Sequence, residues 1–391
     1  MNNLSSRKIY LDYAATTPVD ARVIETMMPY FREVFGNPSS IHEFGQQAEA
    51  ALESAREQVA KVLNCQTDEV IFTGCGSESD NLALRGIAFG AHLGRQANHI
   101  LISPVEHHAV LRTAQQLAEL HKFELEYLPV DRYGMVSPQD VEKRLRPSTA
   151  LVSIIYGNNE IGTVNPVGEI GEICQSHSIP FHTDAVQAAA YMPVDVKQLR
   201  VDLLSLGGHK FYGPKGVGVL FVRKSPEIHL APTQTGGGQE FGLRAGTHNV
   251  PLITGLAKAL ELTQVEREQR AENLKPLRDH LVGSILETIP DSLLTGHPSQ
   301  RLPNHASFVF HNVDGNALLM MLDVEGFACS SGSACKTGNP EPSDVLTAIG
   351  LDHDWALGSL RVTLGVGTTE EQIDQFLHVL PGVVERLRRL I

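Results

Sequence analysis

From Ala48 through Leu52, Ala55, Val59 and Val62 apolar residues recur at three- and four-residue steps, which is the spacing of one helix face. Downstream the period shortens. Apolar or β-branched runs occur at 69–73 (EVIFT), 99–103 (HILIS), 151–155 (LVSII), 180–183 (PFHT) and 202–206 (DLLSL), each followed by glycine, asparagine or a helix-start signal. Strands alternating with helical patterns predict a mostly parallel sheet covered on both faces. After about residue 250 the texture changes. Helical patterns run over 251–289, alternating runs follow at 306–310 and 360–364, and an amphipathic stretch closes the chain at 368–390. Thr368 and Glu371 have capping-box spacing at its start. This part reads as a smaller α+β domain, with a boundary near 255–260.

Length and composition narrow the picture. A chain of 391 residues exceeds the size at which single cores stop growing, so two domains are expected. At 42% apolar and 20% charged, with 34 Gly and 21 Pro, the composition is that of a globular α/β protein rather than a disordered or fibrous one. The net charge is −13 and no Lys/Arg cluster occurs, which argues against a nucleic-acid or anionic-membrane surface. The five cysteines form no C-x-x-C pair and no Cys/His group at zinc spacing, so neither a disulfide framework nor a metal site is expected. Reduced thiols suit the cytoplasm. The first residues reach charged and turn positions before an apolar leader could form, and no apolar stretch of about 18 residues exists. A soluble intracellular protein is the expectation.

In open α/β sheets ligands sit beyond the carboxyl ends of the strands, so the residues after each run carry the chemistry. EVIFT leads into Gly74–Ser79 (GCGSES) and a helical pattern, a glycine-rich turn whose helix N-terminus suits a phosphate. The same turn also fits a plain strand-to-helix connection. G-x-G-x-x-G spacing and a P-loop Gly-Lys are both absent, which disfavours a dinucleotide or ATP. HILIS is followed by Glu106, His107 and His108; a histidine there can stack on a flat cofactor and move protons, or be structural. LVSII is followed by Asn158, Asn159 and Glu160, and PFHT by Asp184 and Gln187. An aspartate after a buried strand needs a partner. It either caps the next helix or holds the protonated ring nitrogen of pyridoxal phosphate (PLP), keeping that ring an electron sink. DLLSL leads to Gly207-Gly208-His209-Lys210, where a lysine at a strand end is placed to form a Schiff base.

The run from Asp184 through SLGGHKFYGPKGVG resembles fold-type I, class V aminotransferase-like enzymes, and among them the cysteine desulfurases of the NifS/IscS type. The likeness extends from YLDYAATTPVD and FGNPSSIH to SLRVTLG, nearly the whole chain. It implies a large mixed-sheet PLP-binding domain at 15–258, and a small α+β domain from 1–14 plus 259–391. By position Lys210 resembles the PLP lysine, Asp184 the ring-nitrogen partner, and His107 the stacked imidazole. Gln187 and Asn159 resemble contacts to the phenolic-oxygen side. Gly76, Ser77 and His209 resemble the phosphate cup, and Thr247 a phosphate contact across a homodimer interface. Arg361 and Asn159 resemble the substrate-binding residues, with Arg361 the arginine that grips the substrate carboxylate through its planar fork. Where relatives often carry a phosphate-site serine this chain has Gly207, a loss on the order of 1 kcal/mol.

Cys335 lies in the Gly/Ser-rich run SSGSACKTG, whereas apolar neighbours make Cys174 and Cys329 better structural cysteines. The resemblance implies that Cys335 takes sulfur from L-cysteine as a persulfide and leaves alanine. It further implies transfer to an acceptor protein, an iron–sulfur scaffold or a thiolation factor. A PLP-dependent cystine C–S lyase, a selenocysteine lyase, and a catalytically silent scaffold of the same fold are the alternatives.

Overall fold

The computed structural model describes residues 8–94, 97–331 and 342–390. In chain order its strands are β1 (Ile9–Tyr10), β2 (Val70–Thr73), β3 (His99–Ile102), β4 (Glu124–Tyr127), β5 (Thr149–Ser153) and β6 (Phe181–Asp184). They continue with β7 (Leu203–Gly207), β8 (Gly218–Val222), β9 (Ser292–Leu294), β10 (His305–Phe310), β11 (Phe327–Ala328) and β12 (Ser359–Thr363). The longer helices are α1 (Glu43–Leu63), α2 (Gly76–Gly94), α3 (His108–His121), α4 (Val167–Ser176), α5 (Val250–Thr288), α6 (Gly315–Val324) and α7 (Glu370–Arg388).

Seven strands form the large sheet in the order β2-β8-β7-β6-β5-β3-β4. The run β7-β6-β5-β3-β4 is parallel, and β8 enters antiparallel between β7 and β2. The sheet is therefore mixed. Every residue of β2, β3, β5, β6, β7 and β8 is buried, as helices on both faces require. Two strands of this sheet escaped the sequence reading. The run GVLFV of β8 is apolar enough but follows the lysine motif without a helix between. The edge strand β4 reads ELEY, with charges where a buried strand would have apolar residues.

A smaller antiparallel sheet, β12-β10-β9, and the parallel pair β1-β11 come from the chain's two ends. One helix of 39 residues, α5, accounts for the pattern at 251–289; the expected division at 258/259 falls inside it. It packs against α1 beside the large sheet and against α7 and β9 further along.

The capping box of α7 is one residue later than Thr368 and Glu371. Thr369 accepts from Gln372 N at 3.3 Å, while Gln372 Oε1 accepts from Thr369 N at 3.2 Å. Such a cap contributes about 1 kcal/mol. The Thr368 hydroxyl is already committed, since it accepts from Gly365 N at 3.0 Å and closes the preceding turn. Among the described residues no helix is long and apolar enough to cross a membrane.

Candidate active site

The carboxyl ends of the central strands open into a cavity of about 300 Å³. Lys210, Asp184, His107, Gln187, Asn159 and Arg361 line it, and so do Gly76, Ser77 and His209. Residues far apart in sequence meet here because parallel strands all end on one edge of the sheet.

Asp184 is the last residue of β6 rather than the first after it, paired with Ser205 of β7. That places it on the buried floor, 4% exposed, with one carboxylate oxygen accepting from Val186 N at 2.9 Å. Burial raises its pKa, while His107, the Val186 N–H and Lys210 pull the other way. Beyond β7 the chain makes one tight turn, Gly208–Lys210, which turns the lysine back over the sheet edge. Its Nζ donates to Ala14 O at 2.6 Å and Ala15 O at 2.8 Å. Burial, then the positive charge of Arg361, draws the Lys210 pKa down to about 8. A free amine is thus reached at lower pH than in an ordinary lysine.

His107 is the N-cap of α3, and its Nδ1 accepts from Ala109 N at 3.1 Å. Burial lowers its pKa below the ordinary value, Asp184 opposing and Lys210 assisting. Its neutral ring therefore carries the proton on Nε2. On the opposite rim, Arg361 of β12 donates from Nη1 to Asn159 O at 2.9 Å and from Nη2 to Asp12 Oδ1 at 2.9 Å.

These residues fit PLP. At the phosphate end, Gly76 and Ser77 open the 19-residue α2, whose first N–H groups have no intrahelical acceptor. A Cβ on Gly76 would lie 2.7 Å from Val186 Cγ2, so the cradle needs glycine there. His209, with its Nδ1 3.1 Å from Thr16 Oγ1, stays neutral because burial takes its pKa to about 4. Gly207 is a different case. Its φ is −135°, and a Cβ would meet Gly76 N and Val186 Cγ1 at 3.4 Å, ordinary contact. Neither backbone nor space demands glycine at this position.

Thr247 is exposed and is not part of the cavity lining. The loop before it is held by Glu240, whose carboxylate accepts from both terminal nitrogens of Arg56 (3.0 and 2.9 Å) and from Phe72 N (2.8 Å). Cys335 lies outside the described residues. Of the two cysteines read as structural, Cys174 is fully buried, while Cys329 is half-buried with its thiol pushed up mainly by desolvation.

Several site residues were missed from sequence. The strap Asp12–Thr17 closes over the lysine. Ala14 O also accepts from Gln187 Nε2 at 2.6 Å, and Thr17 Oγ1 donates to His209 O at 3.0 Å. Its sequence, DYAATT, has no titratable group but Asp12 and Tyr13, and it works largely through backbone carbonyls. Asp80, one turn into α2, sits beneath Asp184, its pKa raised well up by burial and by that neighbour. His182 lies under both, fully buried, between Ser153 Oγ (2.8 Å) and Ser205 Oγ (3.0 Å). Cys75 is exposed and lines the cavity. The one available signal, its place in GCGSES, was read for its glycines.

Residues 9–376 match the family model Aminotransferase class-V. "Cysteine desulfurase IscS" of Dictyoglomus turgidum is 49% identical over 384 residues, covering 98% of this chain and 96% of that protein. Among solved structures, a "NifS-like protein" superposes with a TM-score of 0.89 at 37% identity, covering 97% of this chain and all 100% of that one. "SspA in complex with cysteine" does so at 0.79 and 38% identity, over 91% and 98% of the two chains. The match spans both sheets and every cavity-lining residue, so the chain belongs to the class-V aminotransferase family of PLP-dependent enzymes.

Proposed function

We propose that the chain is a cysteine desulfurase, converting L-cysteine to L-alanine with the sulfur captured as a persulfide on Cys335. The observation that carries this reading is the meeting of Lys210, Asp184, His107 and Arg361 around one cavity. PLP, when bound, supplies an electron sink that weakens the Cβ–S bond of the substrate. Lys210 anchors it and, with its pKa drawn down to about 8, moves protons at the substrate α-carbon. Asp184 keeps the pyridine nitrogen charged. Gly76, Ser77 and His209 hold the phosphate, and Gln187 and Asn159 the phenolic-oxygen side. His107 stacks on the ring and offers its Nε2–H as an acid. Arg361 grips the substrate carboxylate. The Cys335 thiolate attacks the substrate sulfur; the C–S electron pair stays with carbon, which is protonated on the way to alanine. Ser330, in the same SSGSAC run, exchanges both backbone hydrogen bonds with Arg361, tying the root of that run to the carboxylate grip.

Residues 15–258 then form the large PLP-binding domain, with 1–14 and 259–391 as the small one. The persulfide passes in the cytoplasm to an acceptor protein, an iron–sulfur scaffold or a thiolation factor. The assembly is a homodimer in which Thr247 reaches the neighbouring copy's phosphate. In support, Ile24, Met28, Phe31, Phe35, Ile41 and Phe44 are large apolar side chains left exposed in one short stretch. Light scattering is expected to give twice the chain mass; a monomer that retains PLP on dilution would end the shared-site proposal.

The activity test is a product assay with cysteine and reductant. Alanine and sulfide should appear in equal amounts. Pyruvate and ammonia from cystine would make the chain a lyase, strong selenium preference a selenocysteine lyase, and a protein colourless after PLP addition a silent scaffold.

A further inference from the structure

The guanidinium of Arg361 is held on two sides, and only one of its holders is rigid by construction. Asn159 O accepts from Arg361 Nη1 at 2.9 Å and also from His305 Nε2 at 3.1 Å. His305 is buried and its pKa lies well below the ordinary value, so it stays a neutral donor that locks this carbonyl in place. The other holder is a side chain. Asp12 Oδ1 accepts from Nη2 at 2.9 Å, with the two side chains only 19% and 8% exposed. Asp12 is itself fixed by its backbone, which bridges to Thr363, and by Tyr10, whose hydroxyl donates to Asp12 O at 2.9 Å.

A guanidinium has five N–H groups. Two are used here. Arg361 lines the cavity, and one hydrogen on each terminal nitrogen is left for a ligand, while Nε is buried without a hydrogen-bond partner among the described residues. Without Asp12 the planar fork could rotate about its last bonds and satisfy Nε elsewhere. We propose that Asp12 is a positioning residue that acts through Arg361, presenting its free N–H edge to the carboxylate of an α-amino acid. Asp12 touches neither substrate nor cofactor; it sets the preference for amino acids over simple amines. The inference rests on the reading of Arg361 as the carboxylate grip.

The test titrates the PLP-loaded protein with L-alanine and with ethylamine, the same molecule without its carboxylate, and follows cofactor absorbance. Wild type should prefer alanine, and Arg361→Ala should lose that preference. Asp12→Ala should weaken alanine binding on the order of tenfold, the worth of a hydrogen bond to a charged group, and leave ethylamine unchanged. Asp12→Asn, which keeps an acceptor oxygen but not the charge, should recover part of the alanine binding that Asp12→Ala loses. Asp12→Glu keeps the charge but moves the oxygens; it should lose the preference too, and stands in if the alanine variant does not fold. If Arg361→Ala keeps the preference, the grip itself is misassigned. If Arg361→Ala loses it while Asp12→Ala and Asp12→Glu keep it, or if those two weaken both ligands equally, the positioning role is overturned.

Discussion

Replacing Lys210 with alanine should cut turnover by on the order of 10³-fold or more, within or beyond the range a general acid–base group supplies. The side chain has two duties in the proposed reaction, anchoring PLP and moving protons, so no single rescue restores both. PLP should still bind without a covalent link, since Asp184, His209 and the start of α2 remain. Borohydride should then fix cofactor to the wild-type chain and not to the variant. The lowered Lys210 pKa of about 8 adds a pH signature in the cofactor-free protein. The amine is free above that value and protonated below it. The loading rate should therefore climb with pH up to about 8 and level off there, not near the 10.4 of an ordinary lysine. Wild-type turnover in Lys210→Ala would remove this residue from the chemistry.

Cys335→Ser should leave the cofactor spectrum responsive to cysteine but take alanine and persulfide formation to background. Binding and activation depend on PLP and Arg361, neither of which needs a protein thiol. Sulfur transfer does need one, because a hydroxyl stays protonated near pH 7 and is a poor nucleophile toward sulfur. Two other thiols make the comparison sharp. Cys329 has its pKa raised mainly by burial, so Cys329→Ser should change little. Cys75 is exposed and lines the cavity, which makes it the nearest rival among the described residues. Mass spectrometry after brief exposure to cysteine should place the added sulfur on Cys335. Sulfur found on Cys75, with Cys335→Ser still active, would transfer the role.

The sequence by itself determined the strand-and-helix alternation, the sheet's central runs and the residues that follow them. Apolar runs of four or five residues between glycine-rich turns have few other ways to bury both faces, and a parallel sheet puts all their ends together. Lys210, Asp184 and His107 were legible for that reason. Tertiary structure decided what periodicity does not encode. It inserted β8 antiparallel beside β7, where an apolar run without a helix before it gave no direction. It moved the α7 cap to Thr369, because a turn hydrogen bond claimed Thr368 first. It also brought the strap Asp12–Thr17 over the lysine from almost two hundred positions away. Ala14 and Ala15 act there through backbone carbonyls, and Asp12 acts by reaching across to Arg361. A backbone carbonyl is identical in every residue, and a salt bridge between Asp12 and a strand near the other end of the chain leaves no local pattern. Contacts of that kind exist only once the chain has closed on itself.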